Sequence, residues 1–486
     1  MKRRDFLKTL GGVALLPAAC ARMPVARGSV VNDVHAQLNA TRVARVLVPD
    51  SVAAIQRVVR EADRLCIAGG RHAMGGQQFC EGATLLDTTG FNRVLAFDAE
   101  AGTIEVEAGI QWPALVEFLA KTQVGETRAL GIIQKQTGAD RLCMGGALAA
   151  NIHGRGLGKR PFIQDVAAFT LVDAEGNLIA CSRDKNKELF RLVIGGYGLF
   201  GVVYSVTLRL QPRQPMRRVV EIRRIEDVMA GFEARIADGF EYGDFQYSVD
   251  SASEGFLRDG VFSCYQPVAG EVAGVQHRKH MTDANWRDML RDAHFDKARA
   301  YRLYTGYYLS TNGQIYEADE HQMSIYPDGY HLALDRDSGT GYPGSEMITE
   351  IYVPRGELAA FMGEAADDFR RNQVNVIYGT VRLIEKDEES FLAWAKRNYA
   401  CIIFNLHVEH SPAGLELAAG NFRRLIDMAI RRDGSYYLTY HRWATREQVL
   451  ACYPQFPEFL RLKQQYDPGE RFQSDWYRHC KALLEG

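Results

Sequence analysis

At 486 residues the chain is too long for one ordinary core, so two domains are expected. Its 58 Lys and Arg offset 60 Asp and Glu, a balance without the basic footprint of a nucleic-acid binder. Beyond the first residues no apolar run reaches membrane-spanning length. The nine cysteines form no C-x-x-C pair and no short-spaced set with histidine, so neither a disulfide framework nor a metal site is expected.

The first residues read as an export signal. Arg3 and Arg4 precede Phe6, Leu7 and Lys8, an apolar run extends from Leu10 to Ala19, and small residues surround Cys20. The run is too short to cross a bilayer, and its charged, apolar, small order is that of a secretory signal. The paired arginines resemble the twin-arginine type, which carries proteins already folded. Residues 1–30 are therefore expected to send the chain to the periplasm or beyond. Pro17 departs from the pattern around a lipid-anchored cysteine, so a mature protein without stable membrane insertion is expected.

Residues 42–48 alternate as one strand, ending at Pro49. Asp50 or Ser51 caps a helix in which Val52, Ile55, Val58, Val59 and Ala62 recur at helical spacing. Leu65–Ala68 is a short strand that runs directly into Gly69, Gly70, Arg71, His72, Ala73, Met74, Gly75, Gly76 and Gln77. A glycine-rich loop thus follows a β-α-β start. Residues 93–97 and 103–108 form a hairpin, and Trp112 and Pro113 open another helix. A second glycine-rich stretch spans residues 144–158 and a third 195–201. Between them residues 166–172 and 178–181 form a hairpin around Asp173, read with Asp165 as a simple turn former. A long strand from Val202 stops at Pro212, and prolines and arginines mark a boundary near residue 215. Residues 216–435 mix helices with aromatic-rich strands. The aromatic tail, 436–486, is too apolar for a free linker and is expected to pack back on the first domain.

Gly196, Gly198 and Gly201 satisfy G-x-G-x-x-G literally, but a helix precedes them and a strand follows. A nicotinamide site needs the opposite order, so that reading is rejected. The loop at residues 69–77 has a better physical case. Its glycines let backbone amides turn inward and cradle a diphosphate without lysines. A tight structural turn is the alternative for this loop taken alone; three such clusters in one β-rich domain favour the cradle.

Taken together, these loops resemble the FAD-binding domain of the vanillyl-alcohol oxidase/p-cresol methylhydroxylase (PCMH-type) superfamily over residues 40–212, with the cytokinin dehydrogenase and sugar-oxidase branches nearest. The loop at 69–77 resembles the family's first pyrophosphate loop, where a histidine at the place of His72 bonds to the flavin 8α-methyl. Residues 106–112 resemble its strand-to-helix segment. Gly145, Gly146, Asn151, His153 and Gly154 fall in its second flavin-contacting loop; Gly201, Val202 and Val203 fall in the turn that closes the domain. The resemblance implies FAD bound by these residues together with Gly69, Gly70, Arg71, Ala73, Gly75, Gly76 and Gln77. It also implies an α+β fold, with a two-domain PCMH-type architecture and an α+β substrate (cap) domain. Arginine rather than glycine precedes His72, and alanine rather than serine follows it. The alternative for His72 is a loop hydrogen bond with FAD held non-covalently. Cys143 sits too close to Gly145 for a second, thioether link. For His153 a packing role stands beside a flavin contact.

In the second domain, residues 347–354 resemble the segment that supplies an active-site glutamate, here Glu350, in aldonolactone and alditol oxidases. Residues 380–382 resemble their arginine strand, with Arg382. Tyr440 and His441 sit where those enzymes carry a His-x-x-Lys ending, but the lysine is missing. For each of these, and for His407, a salt bridge or core hydrogen bond is the plainer alternative. The expected activity is FAD-dependent oxidation of a small molecule at a CH–OH group, the candidate bases being His441, Glu350 and Tyr440 in that order. Oxygen, a quinone or a cytochrome would accept the electrons. Oxidation of amines, reduction of C–C double bonds, or flavin binding without catalysis are the alternatives.

Overall fold

The computed structural model describes residues 28–268, 279–324 and 329–485. The twin-arginine segment and Cys20 lie outside the described residues.

The first domain begins with a small parallel sheet in the order Arg45–Leu47, Thr84–Asp87, Leu65–Ala68. The single strand expected at residues 42–48 is two. Thr41–Val43 pairs antiparallel with Ser29–Val31, whereas Arg45–Leu47 pairs parallel with Thr84–Asp87. Between them the Ala44 amide turns aside to the Ala83 carbonyl, so the chain changes sheets at that residue. Ser51 caps the helix Val52–Glu61 by accepting from the Ala54 amide, and Ile55 and Val59 are buried beneath it.

A six-stranded sheet follows. Its main path is Leu178–Ser182, Val166–Val172, Val202–Pro212, Thr103–Glu107 and Val94–Asp98, with Leu130–Ile132 also on Val202–Pro212. Both expected hairpins are present in it. The helix Lys187–Val193 precedes the third glycine cluster and the strand Val202–Pro212 follows it, which is the reversed order that excludes a nicotinamide fingerprint.

Only two residues separate Val202–Pro212 from Pro215–Arg224, the first strand of a second, eight-stranded sheet. Toward its far edge Val376–Ile384, Tyr399–Glu409 and Gly344–Pro354 pair antiparallel. Alternation sorts their side chains. On Gly344–Pro354, Met347, Ile351 and Val353 are buried in the main core, where Phe361 of the helix Leu358–Arg371 and Phe422 of the helix Pro412–Ile430 also sit. Glu346, Ile348 and Glu350 point the other way and line a cavity that the helices Asp283–Phe295 and Lys297–Ser310 cover.

Ser435–Tyr436 joins the edge of the second sheet, and the remaining tail returns to the first domain. Leu65 and Phe472 form a parallel bridge, the Gln473 amide donates to the Leu65 carbonyl (2.7 Å), and the Asp475 amide donates to the Phe79 carbonyl (2.7 Å). All eight described cysteines are buried and unpaired. No helix among the described residues is long and apolar enough to cross a membrane.

Candidate active site

Two adjoining cavities occupy the space between the glycine loops and the second sheet. The smaller, about 170 Å³, lies within the first domain's loops; the larger, about 510 Å³, lies under the eight-stranded sheet. His35, Met74, Gln136, Thr137, Ile348 and Tyr440 line both, so the two spaces meet along these residues.

The walls of the smaller cavity are largely backbone. Gly69, Gly70, Arg71, His72, Ala73 and Gln77 supply one side, Gly145 and Gly146 another, and Gly201 and Val203 a third. At several of these glycines nothing larger fits. A Cβ on Gly70 would lie 2.3 Å from the Arg141 carbonyl oxygen, and one on Gly201, whose φ is +149°, would lie 2.6 Å from that of Val172. At Gly146, by contrast, a Cβ would meet nothing within 4 Å, because that position faces the open cavity. Close-packed glycine backbone around a narrow, mostly apolar space fits a flat ring system with a diphosphate tail, and therefore fits FAD.

Other residues expected at the cofactor do not line this cavity. The Gly76 carbonyl faces the tail, accepting from the Trp476 amide, and the Gly75 amide donates to Gln77 Oε1, whose amide nitrogen in turn donates to the Leu438 carbonyl (2.8 Å). Asn151 is a buried tie rather than a wall residue. It donates to Asp387 Oδ2 (2.9 Å) and accepts from the Ile163 amide (2.9 Å). Gly154 packs against residues 134 and 135, and Val202 lies in the core beside Ile55 and Leu86.

His72 lines the cavity with its Nδ1 2.7 Å from Nε2 of His35. Burial, reinforced by the neighbouring His72, holds the His35 ring well below the ordinary histidine range, so it is neutral at pH 7.

The larger cavity is lined by Glu350, Tyr440 and Arg382. Glu350 is buried and fully hydrogen-bonded. Tyr440 donates to Oε1 (2.7 Å), Tyr352 donates to Oε2 (2.8 Å), and His153 Nε2 lies 2.8 Å from Oε2. Burial alone would raise this carboxyl; His153, Tyr440 and Arg382 overcome it and hold it down at about 2. His153 is thus the partner of Glu350 and stacks near Trp394, away from the wall of the smaller cavity. Tyr440 also accepts from Gln136 Nε2 (2.9 Å). The Arg382 side chain is 95% buried, yet its Nε and Nη1 have no hydrogen-bond partner among the described residues. Those N–H groups are spare donors in the larger cavity, of the kind that an oxygen-bearing ligand satisfies.

His441, the first-ranked base, is displaced from this role. It stacks between Phe422 and Tyr436 (centroids 4.7 and 5.8 Å away), and it lines neither cavity. Burial lowers its ring to about 3. The residues that spacing did not reveal are His35, Gln136 and Thr137 at the junction, and the tyrosines of Lys297–Ser310. Tyr301, Tyr304 and Tyr308 recur at helical spacing along one face that lines the larger cavity. Polar-tipped rings on the inner stripe of a helix were the available signal.

A family model described as an FAD binding domain matches residues 43–182. The chain is 22% identical over 429 residues to an L-gulono-1,4-lactone dehydrogenase of Mycobacterium tuberculosis, covering 87% of this chain and 92% of that protein. It is 26% identical over 192 residues to an L-gulonolactone oxidase of Bos taurus, 39% of this chain and 42% of the relative. An uncharacterised oxidoreductase of the fasciation locus of Rhodococcoides fascians is 32% identical over 169 residues, and the match spans 34% of this chain and 37% of that protein. The matched segment is the one whose glycine loops enclose the smaller cavity, so the chain carries a PCMH-type FAD-binding domain and is similar to sugar-lactone oxidases and dehydrogenases.

Proposed function

We propose that the chain oxidises a CH–OH group of a small oxygenated molecule, a sugar lactone, sugar alcohol or related alcohol, with FAD in the smaller cavity and substrate in the larger. One observation carries this reading: the buried Glu350–Tyr440 pair and the spare Arg382 donors line the larger cavity, and Tyr440 also lines the smaller. FAD, when bound, supplies the acceptor for the hydride. Arg382 holds the reacting oxygen and favours its loss of a proton. Tyr440 takes that proton as it passes its own to Glu350, whose carboxylate is ionised at neutral pH. Anaerobic mixing with a panel of aldonolactones, polyols, alcohols and amines should bleach the flavin with a CH–OH donor. Glu350→Gln, with unchanged flavin content, should slow bleaching about 100-fold or more. If no CH–OH donor bleaches the flavin, or if the variant is as fast as wild type, the reading fails.

The His35–His72 contact supports a covalent flavin. His72 must become a nucleophile to bond a carbon, and neutral His35 is placed to take its proton. Acid-denatured protein should then keep its flavin, His72→Ala should release all of it, and His35→Ala should lower the bonded fraction. Complete release from the wild type would end this idea. Export by the twin-arginine route is a further proposal; eight buried free thiols suit a chain that folds before it meets an oxidising compartment. Replacing Arg3 and Arg4 by lysine should hold the protein in the cytoplasm on fractionation, and an unchanged distribution would refute it.

A further inference from the structure

Three residues far apart in the chain converge beside the larger cavity, which Glu346 lines. His294 lies on the helix Asp283–Phe295, Glu346 on the strand Gly344–Pro354, and His407 on its neighbour Tyr399–Glu409, directly across from Glu346. Their ligating atoms all lie within 4.8 Å of one another. Glu346 Oε1 is 2.9 Å from His294 Nε2 and 3.2 Å from His407 Nδ1. These spacings approach the roughly 3.3 Å between ligand atoms that share one tetrahedral zinc at bonds of about 2.0–2.1 Å.

Two observations separate this cluster from an ordinary ion-paired group. The His294 side chain is only 7% exposed, yet its Nε2 has no hydrogen-bond partner among the described residues despite its closeness to Glu346. The two atoms approach without the alignment of a donated hydrogen bond, which leaves a buried ring nitrogen unsatisfied. Beside it, Gly344 makes room for the third member: a Cβ there would lie 2.4 Å from Cε1 of His407. Tyr330 donates to the other oxygen of Glu346, which fixes the carboxylate with Oε1 turned toward both imidazoles.

We propose that His294, Glu346 and His407 form a binding site for one divalent cation of the zinc class. Two imidazoles and one carboxylate favour zinc over magnesium, which prefers an all-oxygen shell. The cation ties the helix Asp283–Phe295 to the paired strands Gly344–Pro354 and Tyr399–Glu409. Glu346 lies four residues along its strand from Glu350, so the site is about 13 Å from the reacting groups and separate from the proposed flavin chemistry.

The test uses the full-length flavin-loaded protein, dialysed against zinc or magnesium and then metal-free buffer, with metal measured by mass spectrometry. Wild type should retain close to one equivalent of zinc and no magnesium, and zinc should raise its melting temperature by about 2 °C or more. Glu346→Gln and His407→Gln, each with wild-type flavin absorbance, should lose both the retained zinc and the shift. Wild type without retained zinc, or variants that keep as much as wild type, would overturn the proposal and leave the flavin reading intact. Should one variant fail to fold, the other and the milder His294→Gln carry the comparison.

Discussion

A carboxylate and an imidazole in this protein are both driven far from their ordinary titration range, for opposite reasons. Glu350 is surrounded by donors, and its charge is stabilised despite burial. His441 is stacked on aromatic rings and has only a 3.4 Å bond from the Trp443 amide and a 3.5 Å contact to Thr349 Oγ1 as polar partners among the described residues, so burial strips its charge. The first therefore belongs to the chemistry and the second to the core. His441→Phe should keep kcat within a few-fold of wild type, because the ring reaches neither cavity. Loss of activity comparable to that of Glu350→Gln, in a variant with wild-type flavin content, would return His441 to the candidate bases. His441 entered the candidates through the likeness of residues 440–443 to a His-x-x-Lys ending. Spacing along the chain carries no information on which side of a strand end a side chain will lie. Glu350 and Arg382 were legible only through the resemblance of residues 347–354 and 380–382 to aldonolactone and alditol oxidase segments. His35 and His294 were not, since their partners are 37 and more residues away in the chain.

At the scale of elements, the parallel pairing of Leu65 with Phe472 joins the tail to the strand that feeds the first glycine loop. Phe472 is fully buried against Ile55, Val59, Leu86 and Val202. Phe472→Ala should cost about 3–5 kcal/mol, read as a lower urea midpoint, and should loosen the flavin without touching the catalytic groups. A midpoint equal to wild type would show that the tail is not part of the domain's core. The hairpins and the helix Val52–Glu61 were readable from turn residues and periodicity. The break at Ala44 was not, because a strand that changes partners keeps the same alternation. The eight-stranded sheet was readable only as scattered strands, since its order, with Gly344–Pro354 beside Tyr399–Glu409, is set by long-range pairing.

For the whole molecule, several buried histidines impose one pH dependence. His35, His321 and His441 all titrate below the ordinary 6.5 when folded, burial being the main cause in each. Below that pH the unfolded chain binds protons that the native state refuses. Stability is therefore complete above about pH 6.5 and drains as the pH falls toward the depressed folded values, and each group adds a slope of at most roughly 1.4 kcal/mol per pH unit. Urea unfolding at pH 7 and pH 5 should show a clear loss at the lower pH, and equal stabilities would contradict this assignment of neutral rings.

The bonds from residues 438 and 439 to the loop at 69–77, and from 473 to Leu65, have a consequence for synthesis. On the ribosome, Gln77 is made 361 residues before the Leu438 carbonyl that closes on it. A nascent chain thus holds the cradle without its clamp over that whole interval, and the closed chamber forms only once residues 438, 439 and 473 have emerged.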